Sequence, residues 1–338
     1  MSKYNSFNSD KILVWEKQIL SAFSQDVVYP ITVNIDPTSM CNQKCYWCNA
    51  WRVMQNHQVL SREQMMFIAD LLLEMDVKGV CIAGGGEPTL NKHLQEFVEK
   101  ISGKIKIGMI TNGINDVSEY KEHCEWIGFS VDSATKQTYL RMKGVDKFSQ
   151  VLDNIRKTVK KTGKAEVSFK YLVTHENLCE IDSACLIARL AGVNDFHIRP
   201  VSYKSTENYK DRTFDGISEQ LEKSIDDLKA YETETFKIRS TGYKFSRGVQ
   251  EKNDFDKCLN VYAVTFCADG KAYLCPDRRG DEKMCLCNIE DFKENWLSKR
   301  HFDMLDSVIP SECPRCTYGG YNKAVASILG NTMRKELL

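Results

Sequence analysis

The sequence has no surplus of charge of either sign and no long apolar run. Its 46 lysines and arginines balance 46 aspartates and glutamates. No net field therefore draws it to nucleic acid or to an anionic membrane surface. No stretch approaches the roughly 18 consecutive apolar residues that cross a bilayer. Residues 1–10 are polar and lack the apolar core of a secretion signal, so the expected location is cytoplasmic. There is no internal repeat and no low-complexity tract. The 6 histidines show no metal-ligand spacing, which leaves His175 and His197 as candidates only for contacts at a site. Residues 1–30 are few for a separate peptide-recognition domain, and none is expected there.

Cysteine is what the chain has in quantity: 14 in 338 residues. In a reducing compartment that number points to metal or redox work rather than disulfides. Three lie in Cys41-Asn-Gln-Lys-Cys45-Tyr-Trp-Cys48, a C-x3-C-x2-C spacing with an aromatic residue before the last thiol. Three soft ligands so close together can wrap one metal centre. They leave one iron of a cubane cluster without a protein ligand, and an open metal position is where chemistry happens. Structural zinc is the competing reading, although it usually wants four protein ligands.

Residues 31–202 alternate between strand and helix patterns. Strands are expected at 31–35, 78–83, 105–110, 126–131, 166–173 and 196–201. Ser61-Arg-Glu-Gln64 is a capping-box helix start, followed by Met65, Ile68, Ala69, Leu72 and Met75 at helical spacing. Further helices are expected at 90–101, 148–159 and 181–190. This rhythm means parallel strands joined by right-handed crossovers. The fold class is α/β, a partial (β/α)6 TIM-like barrel over 31–203 after an N-terminal extension, 1–30. A linker with a polar helix and a short strand near 236–239 spans 204–253. A small cysteine-rich module, 254–338, completes the chain on the open end of the barrel. In such barrels functional residues sit at the carboxyl ends of strands. The cysteine loop, residues 84–87, Asn112, Asp132 and Arg199 all occupy that position.

Ala83-Gly84-Gly85-Gly86-Glu87-Pro88 follows the second expected strand. Its glycines let backbone approach a ligand closely, and Glu87 can accept hydrogen bonds from an ammonium group. Ser130 and Asp132 suit ribose hydroxyls or, equally, a helix N-cap. Asn112 reads as a turn residue before it reads as a ligand. Lys170 points either into the barrel toward an anion or out to solvent.

The cysteine loop, followed one helix and one strand later by glycine-glycine-glutamate-proline, resembles the radical S-adenosylmethionine (SAM) family. The resemblance implies that Cys41, Cys45 and Cys48 hold a 4Fe–4S cluster whose open iron is chelated by SAM. It implies reductive cleavage of SAM to a 5′-deoxyadenosyl radical that abstracts a substrate hydrogen. Trp47 would pack near the adenine, and Gly84, Gly85, Gly86 and Glu87 would contact the amino group. Asn112, Ser130, Asp132, Lys170 and Arg199 are the softer cofactor-binding candidates. A reducing partner such as flavodoxin or ferredoxin would supply the electron.

The C-terminal segment carries Cys258, Cys267, Cys275, Cys285, Cys287, Cys313 and Cys316. Residues 267–275 read as a hairpin turning at Asp269-Gly270. The pattern resembles the twitch form of the SPASM-type extension of radical SAM enzymes. That implies an auxiliary 4Fe–4S cluster on Cys258, Cys275, Cys313 and Cys316, and a four-cysteine zinc site fits the spacing nearly as well. Cys267, Cys285 and Cys287 have no assigned role. Cys81, Cys124, Cys179 and Cys185 lie in or beside apolar stretches and read as core.

A cluster held by four cysteines has no free position and is better suited to moving electrons. The expected reaction is therefore net oxidation or crosslinking of a small polar metabolite, sugar, nucleotide or peptide. Epimerisation with a cysteine hydrogen donor is the alternative. An iron–sulfur electron carrier and a zinc-stabilised binding module are the alternatives of other classes. Arg199, Arg278 and Arg279 suit carboxylate or phosphate, or else are structural.

Overall fold

The computed structural model describes residues 9–24, 26–201, 218–240, 255–313 and 316–332. Among the described residues ten strands are present: β1 (Thr32–Ile35), β2 (Gly79–Ile82), β3 (Lys106–Thr111), β4 (Trp126–Ser130), β5 (Glu166–Val173), β6 (Asp195–Pro200), β7 (Lys237–Ser240), β8 (Ala263–Phe266), β9 (Lys271–Tyr273) and β10 (Cys285–Asn288). They form one sheet in the order β10-β9-β8-β1-β2-β3-β4-β5-β6-β7. Every pairing from β1 to β7 is parallel. Helices Arg62–Glu74, Leu94–Ile101, Phe148–Lys160 and Ile181–Leu190 supply crossovers. This is the α/β partial barrel that the strand–helix rhythm implies.

Local chemistry sets the element ends. Ser61 accepts from the Gln64 backbone N–H while the Gln64 side chain accepts from that of Ser61, which closes the capping box. The next helix starts at Leu94, later than the expected residue 90. Buried Asn91 donates to the carbonyls of Pro37 (2.9 Å) and Leu60 (3.0 Å) and accepts from the His93 N–H. Those bonds hold the chain in a turn where the apolar pattern alone reads helix.

Alternation along the strands separates two faces. Val33, Ile35, Val80, Ile82, Phe129 and Phe169 join a buried cluster that reaches from Ile12 to Ile328. The opposite, lumen face carries Asn34, Cys81, Ser130, Lys170, His197 and Arg239, paired row by row.

Two additions extend the expected six strands. β7 lies parallel to β6 as a seventh barrel strand. β8 pairs in parallel with β1 on the other side, so the cysteine-rich segment continues the barrel sheet. Ala263, Val264, Thr265 and Phe266 are all buried, and a strand covered on both faces belongs inside a sheet. β8 and β9 form the expected antiparallel hairpin, with Gly270 at φ +78°. The boundaries expected at 203–204 and 253–254 lie outside the described residues. Among the described residues no helix is long and apolar enough to cross a membrane.

Candidate active site: the cysteine loop at the barrel mouth

β1 delivers the chain into the loop that carries Cys41, Cys45 and Cys48. The loop is pinned at several points. Gln43 Nε2 donates to the Tyr139 hydroxyl at 2.7 Å, and the Lys44 N–H donates to the Lys143 carbonyl at 2.9 Å. All three cysteines are free thiols. They line one cavity of about 220 Å³ with Trp47, Gly86, Glu87, Asn112, Ser130, Asp132, Lys143 and Arg199. Burial first, and then neighbouring charges including Cys48, push the Cys41 and Cys45 thiols up, Cys45 to about 12. Cys48 is raised by burial too, against the pull of Arg279 and Lys143.

A metal group that takes these thiols as ligands replaces their protons. Among the described residues, no three His, Cys, Asp or Glu side chains converge closely enough for a single metal ion. A polynuclear cluster spaces its cysteine ligands more widely than one ion does. Three soft thiols around one cavity fit an iron–sulfur group.

The glycine segment is in place for backbone reasons. Gly86 N–H donates to the Thr38 carbonyl and Glu87 N–H to the Met40 carbonyl, at 2.9 and 2.8 Å. A Cβ on Gly86 would lie 1.9 Å from the Met40 oxygen, so only glycine permits this approach. Glu87 is 2% exposed. Its Oε1 accepts from Thr89 and from the Thr111 hydroxyl (2.8 Å), and its Oε2 accepts from the Asn112 N–H (2.7 Å). Burial raises its pKa, against those hydrogen bonds. Oε2, with one donor, keeps acceptor capacity. Gly86 and Glu87 line the cavity, whereas Gly84 and Gly85 do not.

Asn112 is both a turn residue and a neighbour of the loop. Its Oδ1 accepts from the Ile114 N–H, and its Nδ2 donates to Asn42 Oδ1 at 2.6 Å. Asp132 has φ +60° and does not cap the helix that follows; Thr135 does, accepting from the Thr138 N–H. Instead Asp132 pairs with Lys143 at 2.5 Å and accepts from the Leu172 N–H at 2.7 Å. Lys143, 2% exposed, also sits over the Trp47 ring at 5.2 Å. Burial alone would lower the Lys143 pKa, but Asp132, Cys45 and Tyr139 outweigh it and hold the ammonium above its ordinary value. Sequence reasoning missed this lysine, because a basic residue in the last turn of a helix is an ordinary dipole partner. Lys170 lies on the lumen face but does not line the cavity.

The core reading of four cysteines needs correction at two. Cys124 and Cys185 are buried, but Cys179 is exposed and Cys81 is partly buried. Cys81 lies on the lumen face of β2, where Lys170 and Asp36 act on it. The period of two, rather than the apolar neighbours, decides its side.

In the C-terminal segment Cys258, Cys275, Cys313 and Cys316 share one neighbourhood. Burial raises all four, and thiol acts on thiol: Cys313 on Cys258, Cys316 and Cys258 on Cys275, Cys258 and Cys313 on Cys316. Tyr318 stands between them and the lumen, its hydroxyl accepting from Asn34 Nδ2 on β1 at 2.6 Å. Cys267 lies apart, directed at Asp36 Oδ2. Cys285 acts on Cys287.

Residues 35–186 match the Radical SAM superfamily model. The chain is 25% identical over 263 residues to a probable GTP 3′,8-cyclase of Sulfurisphaera tokodaii, covering 72% of this chain and 80% of that one. It is 27% identical over 173 residues to a probable GTP 3′,8-cyclase of Saccharolobus islandicus, covering 49% of this chain and 55% of that one. Its fold resembles Streptococcus suis SuiB, with TM-score 0.67 and 14% identity over 91% of this chain and 75% of that one. It also resembles anSMEcpe with bound AdoMet, with TM-score 0.62 and 17% identity over 90% of this chain and 98% of that one. Those two likenesses speak for the fold. The matched segment carries the cysteine loop, the glycine segment and Asp132, and the Radical SAM superfamily implies a 4Fe–4S cluster and SAM.

Proposed function

We propose that this chain is a radical SAM enzyme that oxidises its substrate with the help of a second cluster. The observation that carries the reading is the convergence of Cys41, Cys45, Cys48, Gly86, Glu87, Asp132 and Lys143 on one cavity. Cys41, Cys45 and Cys48 would hold the first 4Fe–4S cluster, and Cys258, Cys275, Cys313 and Cys316 the second. When bound, these groups and SAM supply an electron, a 5′-deoxyadenosyl radical that takes a substrate hydrogen, and an acceptor for the electron left on the substrate.

The protein's own part is binding and orientation. Glu87 Oε2 offers an acceptor to the SAM ammonium, and Lys143 offers a cation to its carboxylate, with Asp132 fixing the lysine. Trp47 gives the adenine an apolar wall and Ser130 offers a hydroxyl to the ribose. A reduced flavodoxin or ferredoxin would deliver the electron. The substrate is a small polar metabolite, a nucleotide or a peptide. SuiB, whose fold this chain shares, has been crystallised with a precursor peptide.

A second reading comes from the Sulfurisphaera relative, whose match covers 72% of this chain. In that reading the radical cyclises a nucleoside triphosphate instead of undergoing net oxidation. Both share one test. Anaerobic incubation of the cluster-loaded protein with SAM and dithionite yields 5′-deoxyadenosine; no 5′-deoxyadenosine overturns both.

A further inference from the structure

We propose that the lumen beside the SAM cavity takes an acidic group of the substrate, a carboxylate or a phosphate, on Lys170, Arg199 and Arg239. This rests on the function proposed above and gives the substrate of that site its chemical class.

The placement follows from strand register. Ser130 pairs with Lys170, Lys170 with His197, and His197 with Arg239. One row thus crosses four adjacent strands on the lumen face. Ser130 and Arg199, two residues beyond His197, open this row to the cavity. Glycines make the room. A Cβ on Gly128 would lie 2.1 Å from Lys170 Cε, and one on Gly108 would lie 2.2 Å from the Trp126 ring. A parallel barrel ordinarily fills this space with branched apolar side chains. Here the chain forgoes side chains at two positions to admit a lysine and a tryptophan.

Among the described residues, Lys170 has no carboxylate as its direct partner. Its Nζ lies 3.0 Å from His197 Nδ1 and 5.3 Å from the Trp126 ring centroid. Asp195, the carboxylate that acts on it, is engaged elsewhere: its Oδ1 accepts from the Ser168 hydroxyl at 2.5 Å, and its Oδ2 is 4.0 Å from Arg239. Burial, with Arg199 and Arg239, pushes Lys170 down to about 8, while Asp195 and Cys81 act the other way. Lys170 and Arg239 thus act on Asp195, and Arg199 acts on Lys170. An arriving anion relieves their mutual repulsion and their loss of water. Two arginines beside a lysine supply the donors that a carboxylate or phosphate needs.

The test is calorimetric titration of pyrophosphate, and separately of succinate, into the anaerobic, cluster-loaded protein with excess SAM. It is run at pH 8 in two buffers of different ionisation heat. At least one anion binds, with net proton uptake, because an anion on a lysine titrating near pH 8 raises its pKa. Pyrophosphate alone assigns a phosphate group, succinate alone a carboxylate, and both assign the shared acidic class. Lys170→Met weakens binding by at least about tenfold and removes the uptake. Lys170→Arg, permanently charged, keeps the binding and also removes the uptake.

Binding of neither anion overturns the inference, as does undiminished binding by Lys170→Met. If Lys170→Met does not fold, persistence of the uptake in Lys170→Arg overturns it instead. A protein that makes 5′-deoxyadenosine yet binds neither anion loses only this inference. A protein that binds an anion at Lys170 but makes none loses the radical SAM function and keeps the site.

Discussion

Arg279 reaches back from the cysteine-rich segment to Asp36, at the end of β1, and pairs with it at 2.7 Å. The same Nη1 donates to the Gly84 carbonyl at 2.7 Å, while Asp36 Oδ1 accepts from the Gly84 N–H at 3.0 Å. One buried ion pair therefore ties three segments together: the strand entering the cysteine loop, the glycine turn and the chain after Cys275. Burial raises the Asp36 carboxyl, and Arg279, Gly84 and Cys267 pull it back.

Removing one partner of that pair leaves a buried charge uncompensated. Arg279→Met is expected to cost about 3–5 kcal/mol, read as a lower urea midpoint. Adding Asp36→Asn recovers part of the loss, because the orphaned charge goes with it. A double variant no more stable than Arg279→Met would refute the coupling.

Gly86→Ala places a methyl against the Met40 carbonyl. The two backbones must separate, at a cost of about 1–3 kcal/mol for such overpacking. 5′-Deoxyadenosine formation should fall at least tenfold while the iron content stays at the wild-type level. Equal loss of iron would mean that the substitution disturbs the cysteine loop rather than the SAM cavity.

Cys313→Ala tests the second site by analysis of bound iron. The expected value falls from roughly eight to roughly four atoms per chain, two cubanes to one. An unchanged iron content, or stoichiometric zinc in the wild type, removes the auxiliary cluster from the account.

His301 gives a stability signature separate from the chemistry. It is fully buried, its Nδ1 accepts from the Leu297 N–H at 3.1 Å, and its ring packs on Trp296. Burial lowers its pKa from 6.5 to about 4, against a backbone hydrogen bond at Asn260. A depressed histidine is neutral when folded and takes a proton when unfolded. The stability is fully present above pH 6.5 and is lost as pH falls toward 4. The loss from this group is about 3 kcal/mol. His301→Gln should flatten that part of the pH profile, and an unaltered slope between pH 6.5 and 4 would exclude the assignment.

The barrel and the cysteine loop were legible because their signals are local. A strand run, a capping box and eight residues of cysteine loop each declare themselves within one window. Lys143, Arg279 and the lumen row did not, for different reasons. Lys143 looks like any helix-ending lysine until the cysteine loop is laid against it. Arg279 meets a partner 243 positions away, and no spacing rule reaches that far. Cys81 sits in an apolar run that reads as core, yet strand alternation turns it to the lumen. β8 shows only as a short apolar run, and its pairing with β1 is a tertiary fact.

The central claim is that three cysteines leave one iron open for SAM. Electron paramagnetic resonance of the dithionite-reduced protein, recorded before and after SAM is added, tests it most directly. The account predicts a reduced 4Fe–4S signal whose g-values shift with SAM, and no such shift in Cys45→Ala. A wild-type signal that SAM leaves unchanged would contradict it.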